Sequence, residues 1–180
     1  MLKAYKYRIY PNSEQRIQIA KTFGCCRFVY NQTLAYRKDI YEKEKKSVSK
    51  TDCNNYCNRE LKKNYEWLKE ADKFALTNAI YNMDAAYQNF FKEHAGFPKF
   101  KSKHDNHKSY TTNYINGNIT VNYENGKIKL PKLKEVKQGC IGIIVDRLSQ
   151  RPFRRWPVEN IMCPYLWKLS IRSWYIQLVV

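Results

Sequence analysis

The stretch 72–103 constrains the fold most. Over its first half, Ala75, Ala79, Met83, Ala86 and Phe90 recur at three- and four-residue steps, which marks one apolar face of a long helix. Lys73, Thr77 and Tyr81 also step by four but start two residues earlier. Two residues are about 200° of rotation, so this second set lies on roughly the opposite face. One face can therefore pack on a core while the other presents a cation, a hydroxyl and an aromatic ring. After Ala95 and Gly96 the helix stops, and Phe97, Pro98, Lys99, Phe100, Lys101 and Lys103 interleave rings with cations. Rings stack on bases and ammonium groups meet phosphates, so the composition suits a nucleic-acid surface. A core helix followed by a solvated basic loop would show the same letters.

Around this stretch the chain divides into a strand, a helical block and further strands. Residues 2–10 alternate, with Tyr5, Tyr7 and Ile9 on one face and Lys6 and Arg8 on the other. Pro11 ends that strand. Asn12 with Gln15 three residues on predicts a capping box, opening a helix that carries Ile17, Ala20 and Phe23. Gly24 is expected to break it, with a second helix running from Cys25 toward Glu42. A weaker helical pattern follows over 52–63. Beyond Lys103, residues 109–114, 119–123 and 127–130 read as strands, joined by turns at Asn116-Gly117 and at Glu124-Asn125-Gly126. The most economical fold is α+β. It is a split β-barrel with its first strand at the N-terminus, its other strands after the helices, and the helical block inserted between them.

Charge and cysteine spacing narrow the function classes. A formal net charge of +17 on 180 residues points to DNA, RNA or an anionic membrane as partner. No apolar run is long enough to span a membrane, and MLKAYKYRIY contains no signal-peptide core. A cytoplasmic protein without a membrane partner is expected. Cys25 and Cys26 are adjacent, Cys53 and Cys57 have three residues between them, Cys140 and Cys163 are isolated, and no CxxC pair occurs. His104 and His107 sit in a lysine-rich loop away from any cysteine pair, which is poor zinc-site spacing. Reduced, buried thiols are expected instead.

Six blocks of the chain together resemble one family. They are YRIYPN (7–12), GCCRFVYN (24–31), EWLKEADKFAL (66–76), YQNFF (87–91), GFPKFKSK (96–103) and KIKLPKL (127–133). In this order they resemble TnpB/OrfB-type proteins, transposon-encoded RNA-guided DNA endonucleases also described as transposases with a helix-turn-helix domain. The resemblance covers residues 1–137. It implies a first barrel strand at 1–10, a helical recognition domain at 11–95, and the remaining wedge-like barrel strands with the basic loop at 96–137. It further implies that these parts hold a guide RNA and read a short motif flanking a double-stranded DNA target. Carried over by position, the opening of the DKFAL helix assigns Lys73, Phe74, Thr77 and Tyr81 to that flanking duplex. Thr77 and Tyr81 stand where relatives can carry Gln and Lys. Asn116 also matches a motif-contacting position, and it is equally the first residue of a tight Asn-Gly turn. With Lys99, Lys101 and Lys103 of the basic loop, these are the expected nucleic-acid-binding residues.

The family's chemistry lies further on, in a RuvC-like domain whose carboxylates hold two divalent metals, with an embedded zinc finger. After Lys137 the only acids are Asp146 and Glu159, and no family motif surrounds either. No catalytic residue, metal or cofactor is expected for this chain. Residues 138–180 hold Trp156, Trp167 and Trp174, are interrupted by Pro152, Pro157 and Pro164, and show no lasting period. Codons compatible with Asp146–Leu169, read two nucleotides downstream, spell a strand pair of the form IKSAT…GKYYVS that resembles the family's next segment. The expectation is an irregular tail produced by a frameshift near Lys137. The chain thus reads as a truncated nucleic-acid-binding portion of a TnpB-type protein. A stand-alone helix-turn-helix regulator and a non-functional pseudogene product are the alternatives.

Overall fold

Strand β1 (Ala4–Tyr10) runs into Pro11, which has no N–H to continue the ladder, and Asn12 turns the chain into helix α1 (Ser13–Glu44). The computed structural model describes residues 4–93, 96–105, 108–144, 167–172 and 175–179, giving the backbone alone for 4–7, 140–144 and the two C-terminal segments. The capping box forms as expected. Asn12 Oδ1 accepts from the Gln15 N–H at 2.8 Å, and Gln15 Oε1 accepts from the Asn12 N–H at 3.0 Å. The Gln15 amide also donates to the carbonyls of Leu133 and Glu135, which ties the start of α1 to a segment that follows the helical block.

Gly24 does not break this helix. α1 runs through it for 32 residues, and a Cβ at Gly24 would meet nothing within 4 Å. The cost of one mid-helix glycine, about 1 kcal/mol, is smaller than what burial contributes on both sides of it. Ile19 and Thr22 are buried before it, and Cys25, Cys26, Val29, Tyr30 and Leu34 after it. Lys45 ends the helix in the left-handed region, with its N–H on the Tyr41 carbonyl.

Ser49 and Asp52 form a second capping box that opens α2 (Lys50–Tyr56). A π-type turn over Cys57–Leu61, a short α3 (Lys62–Asn64) and a 3-10 turn over Glu66–Glu70 follow. Tyr65 and Trp67 each stand edge-on to Phe28 of α1, both at 4.9 Å between ring centroids. The long helix α4 (Lys73–Lys92) then packs its buried side on α1 and on β2 (Ser109–Asn113). That side holds Ala75, Ala79 and Met83 as the periodicity predicts, and adds Leu76, Ile80 and Tyr87, while Ala86 and Phe90 are only half-buried.

The remaining elements are strands β3 (Thr120–Asn122), β4 (Lys127–Leu130), β5 (Lys134–Ile144), β6 (Trp167–Arg172) and β7 (Tyr175–Val179). They form one antiparallel sheet with β1 and β2, in the order β2-β7-β6-β1-β5-β4-β3. The fold is α+β as expected, but the sheet is not closed into a barrel. Closure would pair the two ends of the order, and β2 and β3 do not pair. The tail departs from expectation too. Its described backbone makes two strands, one beside β1 in register Tyr5↔Ile171 to Ile9↔Trp167, the other beside β2. No helix among the described residues is long and apolar enough to cross a membrane.

Candidate nucleic-acid interface

Asp72 fixes the start of α4. Its carboxylate accepts from the Ala75 N–H at 3.2 Å, and the Thr112 hydroxyl of β2 donates to the same oxygen. With the buried stripe set by Ala75, Ala79 and Met83, the opposite side faces outward. Lys73 and Tyr81 are exposed, and Phe74 and Thr77 are half-buried. The Lys73 ammonium lies 5.9 Å from the Phe74 ring, and the Thr77 hydroxyl donates to the Lys73 carbonyl at 3.2 Å. Lys50 of α2 reaches over the Tyr81 ring at 4.9 Å, a cation that the sequence pattern did not connect with this face. Lys73, Phe74, Thr77 and Tyr81 thus form a continuous outward surface on the first half of α4.

Asn78 couples this helix to the Asn116 turn. Its buried amide donates to the Thr111 carbonyl at 2.9 Å and to Asn113 Oδ1 at 2.8 Å, holding the end of β2 against α4. From there the chain enters a turn built by Asn118, whose amide donates to the Asn113 carbonyl while its Oδ1 accepts from the Ile115 N–H. Asn116 (φ 50°) and Gly117 (φ 71°) form the left-handed centre, with Asn116 exposed. The tight-turn role foreseen for Asn116 is therefore met by its backbone.

The basic loop is organised by α1. Asn31 grips it from both sides: its amide donates to the Lys101 carbonyl at 3.0 Å, and its Oδ1 accepts from the Lys101 N–H at 2.8 Å. The Lys101 ammonium then lies 4.5 Å from the centre of the Tyr30 ring. Lys38 of α1 sits between Phe97 and Phe100, 5.8 and 5.7 Å from their centres. Lys99, Lys101 and Lys103 are all exposed. Asn31, Tyr30 and Lys38 were not singled out in the sequence, because a clamp between residues seventy apart leaves no periodic trace.

The two sets of candidates do not share one face. Between α1, α4 and the loop lies a cavity of about 170 Å³, lined by Ala75, Ala79 and Asn82 on the α4 side and by Lys101 and Ser102 on the loop side. The loop therefore meets α4 on the side turned away from Lys73, Thr77 and Tyr81. Arg27 and Lys108 also line this cavity, adding two cations that no motif pointed to. His104 is exposed, and no group of His, Cys, Asp and Glu among the described residues is arranged to hold a metal. His107 falls outside the described residues.

The carboxylates and thiols have structural uses. Asp72 and Asp84 are the two described acids that are not exposed: the first caps α4, and the second accepts from Arg37 at 2.8 Å. Cys25, Cys26, Cys53 and Cys57 are free and buried, and burial raises all four thiols above their ordinary value. Thiols held protonated in this way pack as small apolar groups.

Residues 1–46 match a family model described as a helix-turn-helix domain, that of the OrfB proteins of insertion sequences. They hold β1 and the whole of α1. Two curated proteins named as candidate RNA-guided DNA endonucleases match over most of the chain. The one from Streptomyces pristinaespiralis is 33% identical over 135 residues, 74% of this chain and 32% of its own length. InsQ of Escherichia coli K12 is 31% identical over 134 residues, 73% of this chain and 32% of its own length. The chain thus spans about a third of the length of these relatives. Virulence protein VsdF of Salmonella dublin is 39% identical over 114 residues, covering 58% of this chain and 96% of that protein. Together with the six sequence blocks, these matches place the N-terminal part of this chain in the TnpB/OrfB family of transposon-encoded proteins.

Proposed function

We propose that this chain is a nucleic-acid-binding portion of a TnpB-like protein, which holds a guide RNA and contacts the duplex flanking a DNA target. The observation that carries the reading is the loop at 97–103, where exposed rings alternate with exposed lysines and Asn31 fixes the backbone to α1. A loop fixed in this way has already lost the freedom that a flexible basic segment would lose on binding. In this reading the loop lysines meet phosphates, and Lys73, Phe74, Thr77 and Tyr81 with the Asn116 turn meet the flanking duplex. The helical block acts as a recognition domain inserted between β1 and the later strands. We propose no cutting by this chain: among the described residues, the two carboxylates that are not exposed are committed to a helix cap and an ion pair.

A regulator of helix-turn-helix type would lay its second helix in a DNA groove. Here the half of α1 that would do so buries Val29, Tyr30, Thr33 and Leu34, and no turn precedes it. The reading as a nucleic-acid-holding fragment is the better supported of the two.

The test is fluorescence anisotropy with structured RNA and with duplex DNA between 50 and 200 mM salt. Binding should weaken steeply with salt. The triple substitution of Lys99, Lys101 and Lys103 to Ala should lower the slope of log K against log salt by about 2 to 3. Chelation of divalent metal should leave binding intact, and labelled DNA should stay uncut in magnesium. A salt slope unchanged in the triple variant would remove the loop from the interface.

A further inference from the structure

At the C-terminal end of α4, where the basic loop begins, four rings converge. Tyr87 is buried, Phe90 half-buried, Phe97 42% exposed and Phe91 69% exposed. Phe90 stands edge-on to Phe91 at 5.1 Å and to Phe97 at 5.4 Å, and Tyr87 stands edge-on to Phe97 at 5.4 Å. The rings brace one another, so Phe91 is held in place while its outer surface stays open. They form one wall of a cleft of about 550 Å³, whose other wall is the end of α1 and the segment through Val48. That volume lies in the range of roughly 300–1,000 Å³ typical of sites for small molecular groups.

The cations around the cleft decide what it fits. Arg37 stacks on Tyr87 at 4.3 Å and is neutralised by Asp84, so it serves the floor rather than the rim. The ammonium groups of Lys38 and Lys45 sit on rings instead, over Phe97 and Phe100 in one case and over Tyr41 at 5.6 Å in the other. Lys46 is bonded to Glu44 at 3.0 Å, and Glu42 is the lining carboxylate. An apolar peptide would need the rings but gain nothing from lysines at the edge. A planar apolar body joined to an anion uses both.

We propose that this cleft is a stacking site for an unpaired nucleobase of a single-stranded nucleic acid. The base lies on Phe91 and Phe97, and its phosphate meets Lys38 and Lys45. The proposal rests on the nucleic-acid reading above and adds a second site, at the other end of α4 from Lys73, Thr77 and Tyr81. It makes the chain sensitive to bases as well as to backbone charge.

The experiment compares the whole chain's affinity for oligothymidylate, for an abasic strand of equal length and charge, and for a duplex. The base-bearing strand should bind about tenfold tighter than the abasic one. Phe91→Ala should erase that difference and leave duplex binding unchanged, while Phe91→Tyr should keep it. A 2-aminopurine placed in the strand should be quenched by the native chain and not by Phe91→Ala. Phe91 is exposed, so these variants should keep the fold, and a thermal melt checks it. Equal binding of base-bearing and abasic strands, with duplex binding intact, overturns the stacking site alone. Failure to bind any of the three overturns the nucleic-acid reading with it. If Phe91→Ala instead turns a dimer into a monomer with nucleotide binding unaltered, the cleft belongs to a second copy of the chain and the proposal falls.

Discussion

Arg37 and Asp84 show what a single pair does in this molecule. Their side chains are only 12% and 17% exposed, they meet at 2.8 Å, and the guanidinium carbon also lies over the Tyr87 ring, 4.3 Å from its centre. Removing one partner leaves the other charged and largely out of water, which is far costlier than losing a surface ion pair. Asp84→Ala should therefore lower the unfolding free energy by about 3 kcal/mol, read from urea titration. Lys21→Ala, at an exposed pair with Glu70, should be nearly silent. The thiols give a pH-dependent counterpart. Burial raises Cys53 from 9.0 to about 11. The folded chain thus holds this proton more tightly than the unfolded one. The resulting contribution to stability is complete below pH 9 and lost as pH rises toward about 11. At pH 8, mass-spectrometric mapping of alkylation should find Cys25, Cys26, Cys53 and Cys57 unmodified in the native chain and modified in denaturant. Rapid modification of Cys53 in the native chain would contradict its burial.

At the scale of elements, the local rules read well and the long-range ones did not. The Asn12–Gln15 capping box, the outward set Lys73, Thr77 and Tyr81, and the Asn116-Gly117 turn each depend on residues within a few positions of one another. All three were legible in the sequence. Gly24 was misread because a glycine is a breaker only when nothing outweighs its entropy. Here the helix is buried on both sides of it. The point can be tested directly. Gly24 has an ordinary helical backbone with open space around its Cβ, so Gly24→Ala should stabilise the chain by about 0.5–1 kcal/mol. A turn at that position would make the same substitution destabilising. Asn31 went unseen for the opposite reason: its partner, the backbone of Lys101, comes near only once α1 and the loop have folded together. Asn31→Ala should leave the melting temperature nearly unchanged, since the clamp is exposed, but weaken nucleic-acid binding by freeing the loop. Equal affinity with a mobile loop would mean that the clamp does not preorganise the site.

For the whole molecule, the sheet depends on strands from opposite ends of the sequence, and that is why its order escaped prediction. β1 lies between β5 and β6, and β7 joins β6 to β2, so the last strands fill the gap between the first strand and the strand after the helices. Sequence alternation over 167–172 was present, but the prolines upstream of it obscured a run of only six residues. The arrangement has a consequence for integrity. As the sheet stands, its edges are β2 and β3, five and three residues long. Short edges of this kind offer little to pair with. A chain ending after Ile144 would keep β5 beside β1 but open the other side of β1 along Tyr5–Ile9, and would leave β2 unpaired along its whole length. Two such edges in one molecule template association with other copies. The shortened chain should therefore show concentration-dependent growth in light scattering that the full chain does not show. It should also lose protection from hydrogen exchange at β1. If it stays monomeric with β1 equally protected, then β6 and β7 contribute nothing to the sheet, and residues 145–180 are dispensable for the fold.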